Sequence, residues 1–477
     1  MIHIIGLNLL LKEKQMIKFN NMSLNNIKSK IYNILFALLL LFACPIPSSE
    51  ASDYLNQMSL SSIVMFALDN NPDIKMAKEK VVQSSYMVDD AKAAYYPQVK
   101  LNAAWGRQYN SPAGGVAAGK SQTNNSGEAM LVVKQLLFDG FSTTQEIKAQ
   151  KALSHSSKIQ ADIKIKKVLS ECVKYYLDIF HYQRALMEVQ AYYKSIENVV
   201  GVVSKLFEAG ATSRASVDYT RARMAMAHSE LTEARSSLND AMSNLEYLTG
   251  NLPDFTAVAP DMLDPENINL GFYVKYAREN NVNMILNESN KRSVDHKINS
   301  EKGKLYPKLS FQLEVEEKEN DGGKTGRTSS AAALLQLNYK IFDGFSRKAN
   351  IGKVRSQYKE LEIKDKKIMK RLKRDIKLSY NQIISLQENI KATDLEIVSN
   401  ESVKKINDVN FDLGDINIID LIDSEEKLKN SRVRRHKLEA DLYSNIYRLL
   451  IETGIIKKYY FCEACRIKDS DEKTAWK

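Results

Sequence analysis

Glycine and proline are scarce, 19 and 9 of 477 residues, about half their usual combined share of roughly 12 %. So few breakers exclude a chain of many short elements and point to long uninterrupted helices. Cysteine is scarcer still. Cys44, Cys172, Cys462 and Cys465 are too few and too scattered for a disulfide framework. Six scattered histidines, with no His-Glu-x-x-His, give no zinc hydrolase, and no Gly-x-Ser-x-Gly supplies a serine nucleophile. Charge of one sign is also lacking. Lys and Arg number 68 against 58 Asp and Glu, a net +10, and no stretch interleaves arginine with aromatics, so nucleic acid is not an expected partner. No catalytic constellation, cofactor motif or metal site emerges, and an enzyme is not expected. After residue 51 no run approaches 18 consecutive apolar residues, so any membrane crossing there falls to strands.

The one long apolar run stands near the start. Lys28 and Lys30 precede Ile31–Ala43, and Ser49-Glu-Ala51 comes after it with small residues at −3 and −1. This pattern reads as a secretory signal peptide over 1–51, cut before Ser52, rather than as a membrane anchor. Met22 offers a more ordinary start, and Leu41-Phe-Ala-Cys44 offers a competing lipidation site, weakened by bulky Phe42.

The rest of the chain is written twice. Phe138-Asp-Gly-Phe141 recurs as Phe342-Asp-Gly-Phe345, 204 residues on (138 to 342). Phe207-Glu-Ala-Gly210 and Thr249-Gly250 recur at the same offset, as Phe411-Asp-Leu-Gly414 and Thr453-Gly454. Asn70-Asn71 and Tyr96-Pro97 recur 210 residues on (70 to 280), as Asn280-Asn281 and Tyr306-Pro307. A loop rich in Gly, Ser and Asn absorbs the six-residue difference. The repeats are expected over 52–262 and 263–456, with a basic tail at 457–477.

Each repeat changes period along its length. Ser59 to Tyr95 reads as one helix capped by Ser59, with Ile63, Phe66 and Ala67 on one face. The period then becomes two: Val99, Leu101, Ala103, Trp105 and Tyr109 alternate with Lys100, Asn102 and Gln108. Gly114-Gly115 turns the chain, and a strand returns from Glu128 to Phe138. In the second repeat Leu309, Phe311, Leu313 and Val315 precede a turn at Gly322-Gly323, with Leu335, Leu337, Tyr339 and Ile341 returning. The hairpins are therefore expected over 99–138 and 308–342. Lys318–Thr325 ends like a phosphate-binding loop, but Lys318 stands at the required first glycine and a hairpin turn is the wrong setting.

Long helical hairpins come next, over 142–250 and 346–454, reversing at Gly210 and Gly414. Their first arms are free of proline and carry a single internal glycine each, Gly201 and Gly352. At 1.5 Å per residue each arm spans about 100 Å. Ile351, Val354, Tyr358 and Leu361, then Ile383, Leu386, Ile390 and Ile397, show heptad spacing in pieces, interrupted by Asp365 and Asp375. The fold class is thus mainly α with a small β part. Four strands cannot close a membrane barrel, so the strands are expected to be shared between copies.

In the order and spacing of these features the chain resembles the TolC-type outer-membrane efflux and secretion channels, from about Ser59 to Gly454. The resemblance implies a homotrimer in the outer membrane of a Gram-negative bacterium. Each copy would give four strands to a twelve-stranded β-barrel set in outer-membrane lipid, and two helical hairpins to an α-barrel across the periplasm. It further implies a periplasmic adaptor (membrane fusion) protein and an inner-membrane ABC or RND pump, for type I protein secretion or multidrug efflux. The repeated Phe-Asp-Gly-Phe and a start read as unlipidated lean towards secretion. A poreless coiled-coil envelope protein is the alternative, and it does not account for the alternating hairpins.

Within this family pattern Asp420 and Asp423 match the aspartates ringing the periplasmic aperture, beside the turn glycines Gly210 and Gly414. Three residues apart, the two share one helix face, and a ring of such carboxylates favours cations. The family's ion-pair lock is absent: Ser216 stands at its acidic position and Ile416 at its arginine. Arg214 is a candidate substitute, reaching towards Asp415 or Asp420. Cys462-Glu-Ala-Cys465 has redox spacing but no second pair, so a tail disulfide or free thiols are expected rather than zinc.

Overall fold

The computed structural model describes residues 57–110, 122–250, 253–260, 270–321 and 326–456. The leader, both glycine turns and the tail with Cys462 and Cys465 lie outside them. All described residues but Gln57 belong to one compact unit, Met58–Lys477.

The first repeat runs α1 (Leu60–Asn70), α2 (Pro72–Ala93), β1 (Gln98–Asn110), β2 (Gln122–Phe138), α3 (Ser142–Glu208) and α4 (Arg214–Thr249). The second runs α5 (Leu270–Asn280), α6 (Val282–Gly303), β3 (Lys308–Glu319), β4 (Arg327–Asn338), α7 (Ser346–Leu413) and α8 (Ile418–Thr453). The single helix expected from Ser59 to Tyr95 is broken in two. Asn71 is extended and Pro72 opens α2, because proline has no N–H to give to the preceding turn. Ser59 does cap α1, but of the expected inner face only Ile63 and Ala67 are buried, while Phe66 is 39 % exposed. The last strand is shorter than its alternation suggests. Asn338 pairs with Lys308, the first residue of β3, so Tyr339 and Ile341 have no partner to extend the ladder.

The duplicated sequence landmarks are fasteners. Asn71 caps α2 by accepting from Asp73 N–H at 2.9 Å, and its amide donates 2.9 Å to the Leu248 carbonyl at the end of α4. Asn281 repeats both bonds, accepting from Asn283 N–H and donating to the Glu452 carbonyl, each at 2.9 Å. The Asn pair and the Thr-Gly pair are therefore two ends of one connection, made once per repeat. Phe-Asp-Gly-Phe launches each long helix. Gly140 and Phe141, and again Gly344 and Phe345, take positive φ. Asp139 accepts from Thr143 N–H at 2.9 Å, and Asp343 accepts from Arg347 N–H at 3.1 Å, supplying donors at a helix start with their acceptor. The phenyl rings that flank each turn meet edge to face, with centroids 5.6 and 5.5 Å apart.

The four strands form one antiparallel sheet in the order β1-β2-β3-β4. Register carries the alternation across it. Leu101 stands opposite Leu131, Leu131 opposite Val315, and Val315 opposite Ala331. On the other face Asn102, Met130, Glu316 and Ser330 form the neighbouring row. Trp105 lies across Gly127, where an added Cβ would stand 3.1 Å from its ring. One sheet face is thus apolar and exposed, the other mixed and polar.

Below the sheet the helices pack in two cores. The larger joins α1, the middle of α3, the ends of α4 and α8 and the middle of α7, around Tyr176, Phe180, Ile376 and Tyr447. The smaller sits near the hairpin turns, around Ile196, Val217, Leu421 and Ile422. The heptad pieces of α7 face inward at Val354, Ile383 and Leu386. Leu395, Val398, Ile406, Val409 and Leu413 stay exposed on the same helix. No described helix is long and apolar enough to cross a membrane.

Candidate functional site at the hairpin turns

Both long hairpins reverse in the same way. Gly210 and Gly414 adopt φ of +75° and +80°, where a Cβ would be strained. The next N–H groups reach back across the last turn: Ala211 donates to Leu206 at 2.8 Å and Asp415 to Asn410 at 2.8 Å. Ser213 then caps α4 and Asn417 caps α8, each side chain accepting an N–H of the first turn. Asp420 falls in the first turn of α8, where a carboxylate suits the helix dipole. Its side chain is exposed, and its carbonyl accepts from Asn407 on α7 at 3.2 Å.

Asp423 lies one turn further on and is not free. Arg223 on α4 donates to it at 3.2 Å and to Glu426 at 2.7 Å, bridging the two hairpins. Tyr219 positions the guanidinium, accepting from its Nε at 3.0 Å. Arg223 is held above its ordinary pKa by that hydrogen bond first, then by Glu426 and Asp423, against a loss from burial. Along α8 the pattern continues. Glu425 accepts from Ser195 on α3 at 2.8 Å and pairs with Lys404 on α7 at 3.0 Å. Lys429 pairs with Glu230 on α4 and lies 4.7 Å above the Tyr192 ring.

Arg214 departs from its expected role. It does not reach Asp415 or Asp420; it pairs with Asp218 on its own helix at 3.2 Å, the shorter path for an exposed side chain. Ser216 hydrogen-bonds locally to Ser213 at 3.1 Å, and Ile416 packs against the smaller core, so those two positions form no ion pair. Sequence reasoning missed Arg223. The repeat offset sets it level with Lys427, which directly follows Glu426 and stands one turn after Asp423, and that was the available signal. Cys172 is buried among apolar side chains, which pushes its thiol up to about 12 and leaves it a packing residue rather than a nucleophile.

The family model described as outer membrane efflux protein matches residues 64–251 and 274–450, one segment in each repeat. No curated protein matches the chain. Among solved structures, the Campylobacter jejuni CmeC outer membrane channel superposes with a TM-score of 0.74 at 14 % identity, covering 83 % of this chain and 85 % of that one. A membrane protein from Pseudomonas aeruginosa gives 0.73 at 18 %, covering 86 % and 95 %. The open state of the Neisseria gonorrhoeae MtrE outer membrane channel gives 0.69 at 15 %, covering 83 % and 88 %.

Proposed function

Because this chain belongs to the outer membrane efflux protein family, and so to the outer membrane with a reach into the periplasm, we propose that three copies form a passive exit duct. The observation that carries the reading is the sheet. Its apolar face is continuous through the register, and it ends in two unpaired edges, β1 and β4. Open edges cannot face hydrocarbon, because each unpaired N–H and C=O costs several kcal/mol there. Pairing β4 of one copy with β1 of the next removes every edge, and three copies give a closed twelve-stranded barrel. The exposed apolar row of α7 is covered in the same step. The helices then continue the barrel across the periplasm, where the duct meets an adaptor and an ABC or RND pump that supplies the energy. The two segments 52–262 and 263–456 act as equivalent staves of this wall.

Efflux of small compounds is the favoured cargo class. The repeated Phe-Asp-Gly-Phe, which leans the sequence towards protein secretion, is accounted for as a helix launch and says nothing about cargo. Disrupting the gene should raise susceptibility to small toxic compounds; loss of a secreted polypeptide without that change would assign secretion instead.

At the turn end, Asp420 and Asp423 from each copy converge and set ion preference. In a planar bilayer the channel should prefer cations, more strongly at low salt where screening is weak. Replacing both aspartates by alanine should weaken that preference. Full cation selectivity in the double variant would place the selective ring elsewhere.

A further inference from the structure

The mid-section of α7 carries charge that the turn site does not use. Between Lys364 and Lys377 stand eight basic residues and two acidic ones. Both acids are already taken: Asp365 pairs with Lys291 at 2.6 Å, and Asp375 with Arg374 at 2.6 Å and Arg371 at 3.4 Å. Lys366, Lys370, Lys373 and Lys377 fall at i, i+4, i+7 and i+11, one stripe of the helix. With Lys275 and Arg278 of α5 they rim a groove of about 990 Å³. All six are exposed, and none joins an ion pair among the described residues. The floor is apolar. Leu270 and Val274 of α5, Met284 of α6 and Met369 of α7 form it, each half-buried.

The first repeat builds the same cleft and closes it. Leu270, Val274 and Met284 correspond to Leu60, Val64 and Ile74, 210 residues back (270 to 60). Lys373 and Lys377 correspond to Leu169 and Val173, 204 residues back (373 to 169). These first-repeat residues are all buried in the larger core. Met65 and Leu68 stand where Lys275 and Arg278 do. The second repeat therefore keeps the floor and puts cations where the first has apolar cover. Solvation alone accounts for the lysines but not for the apolar floor left beneath them. Like charges gathered around one groove repel each other, and an anion lodged among them relieves that repulsion.

Depth decides which anion. Lys366 and Lys377 lie about 30 and 45 Å along α7 from Ser346, where the helix leaves the sheet, at 1.5 Å per residue. Leu413, at the turns, is about 55 Å further on. With the sheet in the outer membrane, lipid headgroups are several Debye lengths from the stripe, each about 8 Å. The turn end is out of reach as well. What the duct crosses at that depth is the cell-wall mesh, whose peptides carry free carboxylates between small apolar side chains. Resting on the membrane placement of the sheet read above, we propose that this groove binds carboxylate-bearing cell-wall peptide and fixes the duct in the wall it crosses. Charge complementarity favours this occupant. All but Arg278 are ammonium point charges, which meet separate carboxylates without the planar fork that suits arginine to phosphate. The apolar floor takes the methyl groups between them. Four lysines spread over about 16 Å of helix engage several carboxylates at once, so individually weak contacts add up.

The test uses the full chain in detergent with purified sacculi, stripped of attached protein by a protease that leaves the wall's own cross-links intact. The protein should pellet with the sacculi at about 50 mM salt and be mostly released at about 500 mM, where screening is strong. Lys366→Gln, Lys370→Gln, Lys373→Gln and Lys377→Gln together should lower the bound fraction roughly fivefold or more, with an unchanged melting temperature because all four are exposed. A control of equal charge, Lys194→Gln, Lys205→Gln, Lys405→Gln and Lys427→Gln, is exposed and outside the groove and should bind like the parent. Sacculi with amidated carboxylates should not bind. Failure of the parent to pellet, equal loss in both quadruple variants, or full binding to amidated sacculi overturns the proposal. So does binding that requires the protein-bearing wall, which makes an acidic protein the occupant. The groove lies within one copy, so light scattering tests the duct separately: a monomer that still pellets through the stripe ends the duct and leaves the groove.

Discussion

Arg223 takes up part of the negative charge beside the hairpin turns. Asp420 stays exposed, whereas Asp423 and Glu426 share one guanidinium that also ties α4 to α8. Ion pairs this open to solvent contribute roughly 0.2–1 kcal/mol each, too little to hold the two hairpins rigidly together. Arg223→Ala should therefore leave each copy one charge more negative at the turn and loosen the link between hairpins. Single-channel recording should show stronger cation preference and higher conductance than in the parent. Arg223→Lys, which keeps the charge without the fork, should keep the preference.

A second residue-scale consequence lies in the larger core. Burial, then His436 and Lys437, pushes His181 down to about 4 from an ordinary 6.5. The unfolded chain therefore binds this proton more readily than the folded one between those values. The contribution is intact above pH 6.5 and is lost as the pH falls through about 4. Asp178 and Asp441, raised by burial, act in the opposite sense. The isolating measurement is a comparison: His181→Gln should flatten the fall in thermal stability between about pH 6.5 and 4. An unchanged slope would show that His181 is not the group responsible.

At the scale of elements, the asparagine caps join each pre-hairpin helix to the end of its repeat. Asn71 and Asn281 are 4 % and 2 % exposed, so removing either side chain strands a buried carbonyl as well as uncapping a helix. Asn71→Ala and Asn281→Ala should each cost about 1–3 kcal/mol, read as lower melting temperatures by circular dichroism. Asp139→Ala removes a bond to the start of α3 and should cost less, about 1 kcal/mol. A larger loss for Asp139→Ala than for Asn71→Ala would reverse this ranking of the fasteners.

At the scale of the whole molecule, a sheet with two free edges and an exposed apolar face is a fragment of something larger. Assembly satisfies both at once. The purified protein in detergent should run as a heat-resistant trimer and dissociate only when its strands unfold. A stable, fully helical monomer by light scattering would end the duct model. The long helices do not alter this expectation, since α7 alone leaves Leu395, Val398 and Leu413 without cover.

Periodicity was enough for most of the elements, though not for the break at Asn71-Pro72 or the end of β4. Alternation in Val99–Trp105 and Leu309–Val315, and the near-absence of glycine and proline in α3 and α7, are local properties of the chain. The duplicated landmarks, the turn glycines among them, could be aligned by counting, whereas both aspartates were singled out by the family resemblance alone. What counting could not supply is which side chains meet across distant segments. Asn71 reaches Leu248 and Arg223 reaches Asp423 because helices packed side by side bring residues 177 and 200 positions apart into contact. Nor could the pattern tell Phe66, exposed, from Ile63, buried, since both suit one helix face until a neighbour covers part of it. Local sequence determined the order and kind of the long helices and strands and the alternation of each hairpin; packing decided where some of them break or end and which partners their faces and charges find, because both depend on what lies alongside.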